Sequence, residues 1–481
     1  MSGMERLGAA DSWFLYLEGP TQHLQVTGLL LLDPSSSPDE VTFEKFYEHV
    51  EARLDHLPSF RKRMVEVPLG IDHPAMVEDP ELDLHQHLSH ESFKGRESDF
   101  RAFLDHYCSQ PLDRGKPLWE MVFATDLDAG RCALVAKLHH TMIDGVTGVG
   151  IMADLLDLEA DAAADKGRPT EPAPTDPSGI PTATEAMLDA IANRLSDPMR
   201  PFRALRRTGS SILRAADAVV TARGAGKEQA APFGMPRTRI NASLTPRRAV
   251  SFGTTELQPV KDLKAALGVT VNDVVLAAVA TGLRGFLRAH DSLPDVPLVA
   301  SVPVSVHGQP ADPDGTGTTN QVSNMFVHLP VHLDDPMERL RAVQSSASDS
   351  KEIQGALGPE MLGDMVDLMP PAFLSLGMTA YSRAGMADRT PAAHTLIVSN
   401  VPGPDFPLYL AGAEVTGLYP FGPLMEGSGL NVTVLSHDGR LDVGLIACPD
   451  LVPGLGDLQA GIMAGFEELV AEGQKGQVHN R

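Results

Sequence analysis

The arrangement of apolar and polar residues predicts alternating strands and helices in the first part of the chain. Short apolar runs at 25–32, 121–126 and 132–138 predict buried strands. In 42–54 and 146–158 the apolar residues recur every three or four positions, which predicts helices that bury one face. This alternation indicates a mixed α/β fold.

Residues 161–182 interrupt the pattern. They are rich in Pro, Ala, Asp and Thr and have too few large apolar residues to bury a core, so they are interpreted as a linker. Helical spacing returns at 183–195 and 204–222.

From about residue 248 a second alternating region begins. Asp438-Gly439 is a pair typical of a tight turn between two strands. The predicted elements are helices at 271–287 and 455–471 and strands at 298–306, 325–329, 395–399, 431–435 and 441–447. A chain of 481 residues is long for one core, which favours two domains. The expected boundaries are 1–160 and 236–481 for the domains, with 161–235 as linker and connecting helices.

Composition narrows the class of protein. With 43% hydrophobic and 21% charged residues the chain is typical of a folded protein, and its net charge of −24 argues against a nucleic-acid partner. The three cysteines are too scattered for a disulfide framework, which favours a reducing cytoplasm. The sequence shows neither a secretion signal nor 18 consecutive apolar residues, so any membrane contact is expected to be peripheral.

The charge of residues 198–250 departs from that of the chain. This stretch has eleven basic and two acidic residues, a net charge of +9. Two interpretations remain open. The stretch is either a solvated helical face with a loop, or a surface that docks on anionic lipid or receives an anionic donor.

The strongest chemical signal is Leu138-His139-His140-Thr141-Met142-Ile143-Asp144-Gly145, between a predicted strand and a predicted helix. A histidine there can remove a hydroxyl proton and return it to a leaving thiolate. Three alternatives stay open. The histidines are metal ligands, although neighbours on a strand point to opposite faces; they are core residues; or His139 and Asp144 form an HxxxxD pair with His139 as the base.

The same stretch resembles the HHxxxDG motif of the bacterial wax ester synthase/acyl-CoA:diacylglycerol acyltransferase family. Five other segments agree with that family in order and spacing, and the resemblance covers the chain except about 160–235. These segments are Asp11-Ser12-Trp13-Phe14, Pro117-Leu118-Trp119, Thr270-Val271-Asn272-Asp273-Val274, Asn320-Gln321-Val322-Ser323-Asn324-Met325 and Ser399-Asn400-Val401-Pro402-Gly403-Pro404.

The resemblance implies a fold and a set of roles. The fold is two chloramphenicol-acetyltransferase-like α/β domains with the active site in a tunnel between them. His140 is then the general base, while His139, Asp144 and Gly145 support it. Asp144 is expected to turn away from the substrate and pair with an arginine.

Asn272 and Asp273 lie at the start of a predicted helix, where polar side chains satisfy free N–H groups. Capping accounts for Asp273. The side-chain amide of Asn272 is a candidate donor to the thioester oxyanion, so it is assigned as the second catalytic residue.

Two motifs are expected to shape the cleft or the packing around it rather than carry out chemistry. A tryptophan side chain offers only one hydrogen-bond donor, which argues against a catalytic role for the first motif. The Val-Pro-Gly-Pro run of the second motif requires a sharp turn of the backbone. The residues concerned are Pro117, Leu118, Trp119, Ser399, Asn400 and Pro402.

The resemblance implies an acyl-CoA-dependent O-acyltransferase that esterifies diacylglycerol, a long-chain alcohol or both. Acyl-CoA is the expected co-substrate, with no bound cofactor or metal. The expected location is cytoplasmic, at the inner membrane face or on lipid inclusions. Two alternatives are a condensation-type enzyme that takes acyl groups from a carrier protein and a catalytically dead lipid-inclusion or acyl-CoA-binding protein.

Overall fold

The structure is a computed structural model. It describes residues 4–142, 147–160, 179–196, 230, 232–305, 322–357 and 371–479.

Fifteen strands in three sheets occur among these residues. They are β1 (Glu5–Arg6), β2 (Gln25–Asp33), β3 (Lys62–Val65), β4 (Ala75–Glu78), β5 (Leu88–Ser92), β6 (Trp119–Thr125), β7 (Cys132–His139), β8 (Ala249–Glu256), β9 (Leu298–Ser305), β10 (Val322–Leu329), β11 (Leu396–Pro402), β12 (Tyr409–Leu410), β13 (Ala413–Phe421), β14 (Leu430–His437) and β15 (Arg440–Ala447).

Ten α-helices are also found within the described ranges. They are α1 (Ala9–Leu17), α2 (Phe43–Arg53), α3 (Glu97–Ser109), α4 (Thr147–Leu155), α5 (Ala183–Ser196), α6 (Leu257–Leu267), α7 (Val271–Ala289), α8 (Pro336–Leu357), α9 (Pro371–Arg383) and α10 (Leu455–His479).

Two six-stranded sheets form the framework. The first has the order β12-β13-β2-β7-β6-β5 and the second β10-β9-β11-β14-β15-β8. Both sheets are mixed, because β5 runs parallel to β6, and β11 runs parallel to both β9 and β14. The apolar runs predicted as strands at 25–32 and 132–138 are confirmed as β2 and β7, which pair antiparallel at the centre of the first sheet. A small sheet, β1-β4-β3, lies apart from these two.

One strand of the second half completes the sheet of the first half. β13 pairs antiparallel with β2, from Glu414 opposite Asp33 to Phe421 opposite Thr27. The boundaries drawn from the sequence assigned all of 236–481 to the second domain and did not include this exchange. A pairing between residues so far apart leaves no trace in the local apolar pattern.

Helix α7 forms the centre of the second core. A capping box starts it, in which Thr270 and Asp273 each accept the other's backbone N–H. Twelve of its residues are buried, and it packs against α10. In the part of the chain that the structure describes, no single helix has the length and apolarity to cross a bilayer, and α6 and α7 meet that test only as a pair bent by 108°.

Candidate active site

The two neighbouring histidines at the end of β7 have different surroundings. His139 is 2% exposed; its Nδ1 accepts the Thr141 N–H at 3.1 Å, and its Nε2 lies 3.3 Å from Oε1 of Glu18. His140 is only partly buried, and its ring stacks on Phe14 with centroids 4.0 Å apart. β7 ends at His139 and His140 begins a short turn, so the two rings contact different side chains.

The backbone around His140 is fixed by the segment that precedes β2. The His140 N–H donates to the Leu24 carbonyl at 2.9 Å, and the Thr141 hydroxyl donates to the Asp11 carbonyl at 3.1 Å. Helix α1, which carries Phe14, packs against α9 of the second half of the chain. The imidazole thus lies where the two halves meet.

Burial keeps the His140 ring uncharged. The pKa of His140 is lowered from the usual 6.5 to about 4, chiefly by burial and also by the neighbouring His139, while an interaction with the backbone of His140 itself opposes the shift. Its Nδ1 is buried and has no aligned hydrogen-bond partner within the described residues. At neutral pH this imidazole is unprotonated and able to accept a proton.

The partly buried carboxylate of Glu18 connects His139 to the chain near His140. Glu18 accepts hydrogen bonds from Arg114 at 2.6 Å and from the Leu24 N–H at 3.0 Å. Burial alone would raise the pKa of Glu18, but its interactions with His139 and then Arg114 outweigh this effect and lower the pKa to about 2. The same glutamate therefore anchors His139 and the residue whose carbonyl holds His140. The sequence reasoning missed Glu18 and Arg114, because no local pattern marks a pair 96 positions apart.

Asn272 and Asp273, neighbours at the start of α7, have different environments. Asp273 is 3% exposed and completes the capping box of α7 with Thr270, which accounts for it structurally. Asn272 takes no part in that box and is partly exposed at the first turn of the helix.

The Pro-Leu-Trp motif packs beneath the end of β7. The Trp119 indole N–H donates to the Phe60 carbonyl at 2.9 Å, and the ring stacks on Phe60 and His87 with centroids 4.6 and 4.4 Å away. Leu118 is fully buried, and its carbonyl accepts the His139 N–H at 2.9 Å. Pro117, next to it in the chain, is also buried.

The Ser-Asn-Val-Pro-Gly-Pro motif ends β11 beside β14. Ser399 and Asn400 are partly buried and Pro402 is exposed. A side chain at Gly403 would place its Cβ 2.3 Å from the Ser436 carbonyl oxygen, so this close approach requires glycine. Val401 packs against the core of the first half, so this end of β11 also reaches the junction.

Some predicted residues lie outside the described part of the chain. These are Ile143, Asp144, Gly145, Asn320 and Gln321, together with most of the predicted linker at 161–182 and the predicted helix at 204–222. The described residues contain no group of three His, Cys, Asp or Glu side chains placed to hold a metal ion. Two cavities of about 350 and 270 Å³ lie between α3 and β8 and beside Tyr419, and His140 lines neither of them.

Solved structures identify the class of protein. The wax ester synthase/diacylglycerol acyltransferase from Marinobacter aquaeolei VT8 matches with a TM-score of 0.65 and 26% identity, covering 98% of this chain and 100% of that one. The starter condensation domain of rhizomide synthetase matches with a TM-score of 0.56 and 12% identity, over 98% and 95% of the two chains, which shows the fold alone. The predicted fold, two chloramphenicol-acetyltransferase-like α/β domains, is confirmed, and the chain is an acyltransferase.

Sequence comparison gives the family. The model of the wax ester synthase/diacylglycerol acyltransferase catalytic domain matches residues 7–275, and that of the family's C-terminal domain matches 318–470. A protein of Mycobacterium tuberculosis named as a diacylglycerol O-acyltransferase is 34% identical over 474 residues, covering 98% of this chain and 90% of its own. The chain belongs to the wax ester synthase/diacylglycerol acyltransferase family, for which acyl-CoA is the co-substrate.

Proposed function

We propose that this acyltransferase moves a fatty acyl group from acyl-CoA to the hydroxyl of a diacylglycerol, a long-chain alcohol or both, with His140 as general base. The observation that carries the proposal is the uncharged, partly exposed His140 imidazole at the junction of the two halves. Relatives named as diacylglycerol O-acyltransferases support the choice of substrates.

The contacts of the ring favour Nε2 as the reacting atom. Nδ1 is buried and has no hydrogen-bond partner among the described residues, so it is not available to a substrate hydroxyl. A proton on Nδ1 leaves the lone pair of the neutral imidazole on Nε2. Stacking on Phe14 then sets the direction of that lone pair.

The reaction needs one proton to move twice. Nε2 takes the hydroxyl proton as the oxygen attacks the thioester carbonyl, which gives a tetrahedral oxyanion and an imidazolium. Collapse of the oxyanion breaks the carbon–sulfur bond, and the imidazolium returns the proton to the coenzyme A thiolate. We assign Asn272, whose amide is not used in the capping box, as a donor to the oxyanion.

The proposal includes the place of action. A diacylglycerol or long-chain alcohol dissolves poorly in water and is concentrated at lipid surfaces. We propose that the protein works while bound peripherally to the cytoplasmic face of the membrane or to lipid inclusions.

Substitution of two residues tests the chemistry. Palmitoyl-CoA is incubated with dioleoylglycerol or hexadecanol, and the products are separated by thin-layer chromatography. His140→Ala should lower kcat roughly 10²–10⁴-fold, and Asn272→Ala about 10²–10³-fold. His106→Ala, an exposed histidine on α3, is the matched control and should be unaffected. Undiminished turnover by folded His140→Ala would refute the mechanism, whereas full activity of Asn272→Ala would remove only the oxyanion assignment.

A further inference from the structure

Helix α5 exposes an apolar stripe to solvent. Leu188, Ile191 and Leu195 are 59%, 41% and 73% exposed. Their spacing of three and four residues places them on one face, the outward one, since Ala186 and Ala190 face the protein and are buried. A surface helix of a globular protein usually presents polar residues on this face. The stripe therefore indicates an interaction surface, which is covered when the protein functions.

Helix α9 exposes a second stripe of the same kind. Phe373 and Leu376 are 69% and 68% exposed and lie one helical turn apart. Leu374, on another side of the helix, packs against the core of the first half. The helix is thus held in place from within while two large apolar side chains face outward.

A turn between β3 and β4 brings the two helices together. Both α5 and α9 contact residues 68–70. Leu69 at the tip of this turn is 79% exposed and has a φ of +62°, a backbone conformation that a bulky side chain rarely adopts. We define the apolar face as the outward side chains of these three elements, which are Leu69, Leu188, Ile191, Leu195, Phe373 and Leu376.

The charges beside the apolar face are largely neutralised. Asp72 is fully buried and pairs with Arg194 at 3.2 Å and with Arg6 at 3.5 Å, and Arg6 also contacts Asp189. Arg383 is exposed at the end of α9. One further acid, Glu185, lies in the first turn of α5, at the opposite end of that helix from Arg194, and its carboxylate accepts hydrogen bonds from Thr182.

The sequence beyond α5 adds positive charge. Residues 197–229, which follow the helix directly, carry seven lysines and arginines against three acids, in a chain of net charge −24. Basic residues that follow an exposed apolar helix in the sequence favour anionic lipid headgroups, each contributing roughly 1 kcal/mol near a membrane surface. Charge complementarity therefore points to lipid rather than to another copy of this acidic chain.

We propose that the apolar face inserts into a lipid surface with anionic headgroups, so that the acceptor alcohol passes from the lipid into the active site. The inference rests on the proposed function, because it assumes a lipid acceptor. Helix α9 packs against α1, and Phe14 of α1 stacks on His140, so the inserted helix lies one element away from the base.

Vesicle flotation tests the inference on the full-length protein. The vesicles contain phosphatidylcholine and phosphatidylglycerol in equal parts, with dioleoylglycerol. Phe373→Ser with Leu376→Ser should lower partitioning onto vesicles about tenfold or more, as expected from losing two inserted apolar side chains. Leu188→Ser with Leu195→Ser should act in the same direction. Leu267→Ser with Val296→Ser, which alters exposed apolar residues on other elements, is the matched control and should not change partitioning.

Two acceptors separate this inference from the proposed function. Transfer from palmitoyl-CoA to hexanol, which reaches the site through water, should remain within about twofold in the apolar-face variants, while transfer to dioleoylglycerol in vesicles falls with partitioning. Loss of all transfer by the unsubstituted protein would refute the proposed function instead. Unchanged partitioning of the apolar-face variants would overturn the inference. It would also be overturned if sedimentation velocity showed that these variants only convert a dimer to a monomer.

Discussion

The two adjacent histidines at the end of β7 differ because their partners differ. His139 is buried with the carboxylate of Glu18 beside it, whereas His140 stacks on the uncharged ring of Phe14. Removal from water disfavours an imidazolium unless an anion compensates it. His140 has no such compensation among the described residues, and its pKa is lowered to about 4.

The pH dependence of the reaction should report this difference. The base must be uncharged, and a group with a lowered pKa stays uncharged as the pH falls through its usual value of 6.5. kcat/KM should therefore be flat from neutral pH to about 5 and decline only as the pH approaches 4. The measurement is a pH profile with palmitoyl-CoA and hexadecanol, restricted to conditions where circular dichroism shows folded protein. An acid limb with its midpoint at 6.5 or above would contradict the assignment.

The individual site residues also show how much of the site can be predicted from the sequence. Strand alternation predicts that His139 and His140 face different ways; in the structure the strand ends at His139, and the two rings have different neighbours. The contact of Glu18 with Arg114 has no such signal, since the two residues are brought together only by folding. The role assigned to Asn272 stays a prediction, because its position on the first turn of α7 is the only relevant observation.

Helices α7 and α10 approach each other closely where they cross. A Cβ added at Gly282 would lie 2.5 Å from Cγ1 of Ile462 and 2.8 Å from its backbone nitrogen. A Cβ added at Gly461 would lie 3.2 Å from the Gly282 Cα. The two backbones approach this closely because both residues lack side chains.

Replacing two glycines of α7 should change stability in opposite directions. Gly282→Ala forces a methyl group into the backbone of α10 and should lower the free energy of unfolding by about 1–3 kcal/mol. Gly285→Ala, on the exposed side of the same helix, meets nothing within 4 Å and should raise it by up to about 1 kcal/mol through helix propensity. Urea unfolding of the two variants measures both effects. Equal stability of the two proteins would show that α10 moves aside without cost.

Elements with a strong local signal are those the sequence predicts well. The turn at Asp438-Gly439 has φ values of +43° and +73° and joins β14 to β15 as predicted. The predicted helix at 271–287 is confirmed as α7 and extends two residues further. β13 was missed: it has a register shift between Val415 and Gly417, which breaks the alternation that marks a strand.

At the scale of the whole molecule the two halves depend on each other. β13 of the second half covers the edge of β2, and buried Arg248 donates to the Thr21 carbonyl in the segment that leads to β2. Buried residues of β12 and β13 lie in the core of the first half, and Val401 of β11 packs against it. The site at their junction is therefore assembled only when both halves are folded together.

The exchanged strand predicts how a fragment of the chain should behave. Residues 1–235 contain β2 and β7 but lack β13, so the apolar strand β2, with Leu29, Leu31 and Leu32 among its buried residues, becomes an unpaired sheet edge. Such an edge associates with other chains. The fragment alone should elute as soluble aggregates or precipitate, whereas production together with 236–481 should give a soluble complex, as measured by size-exclusion chromatography. Joining 403–422 to the fragment through a flexible linker restores the missing strand and should recover part of the monomer. A fragment 1–235 that is monomeric and unfolds cooperatively by itself would show that the first sheet is stable without β13, and the interdependence of the halves would then be limited to the active site.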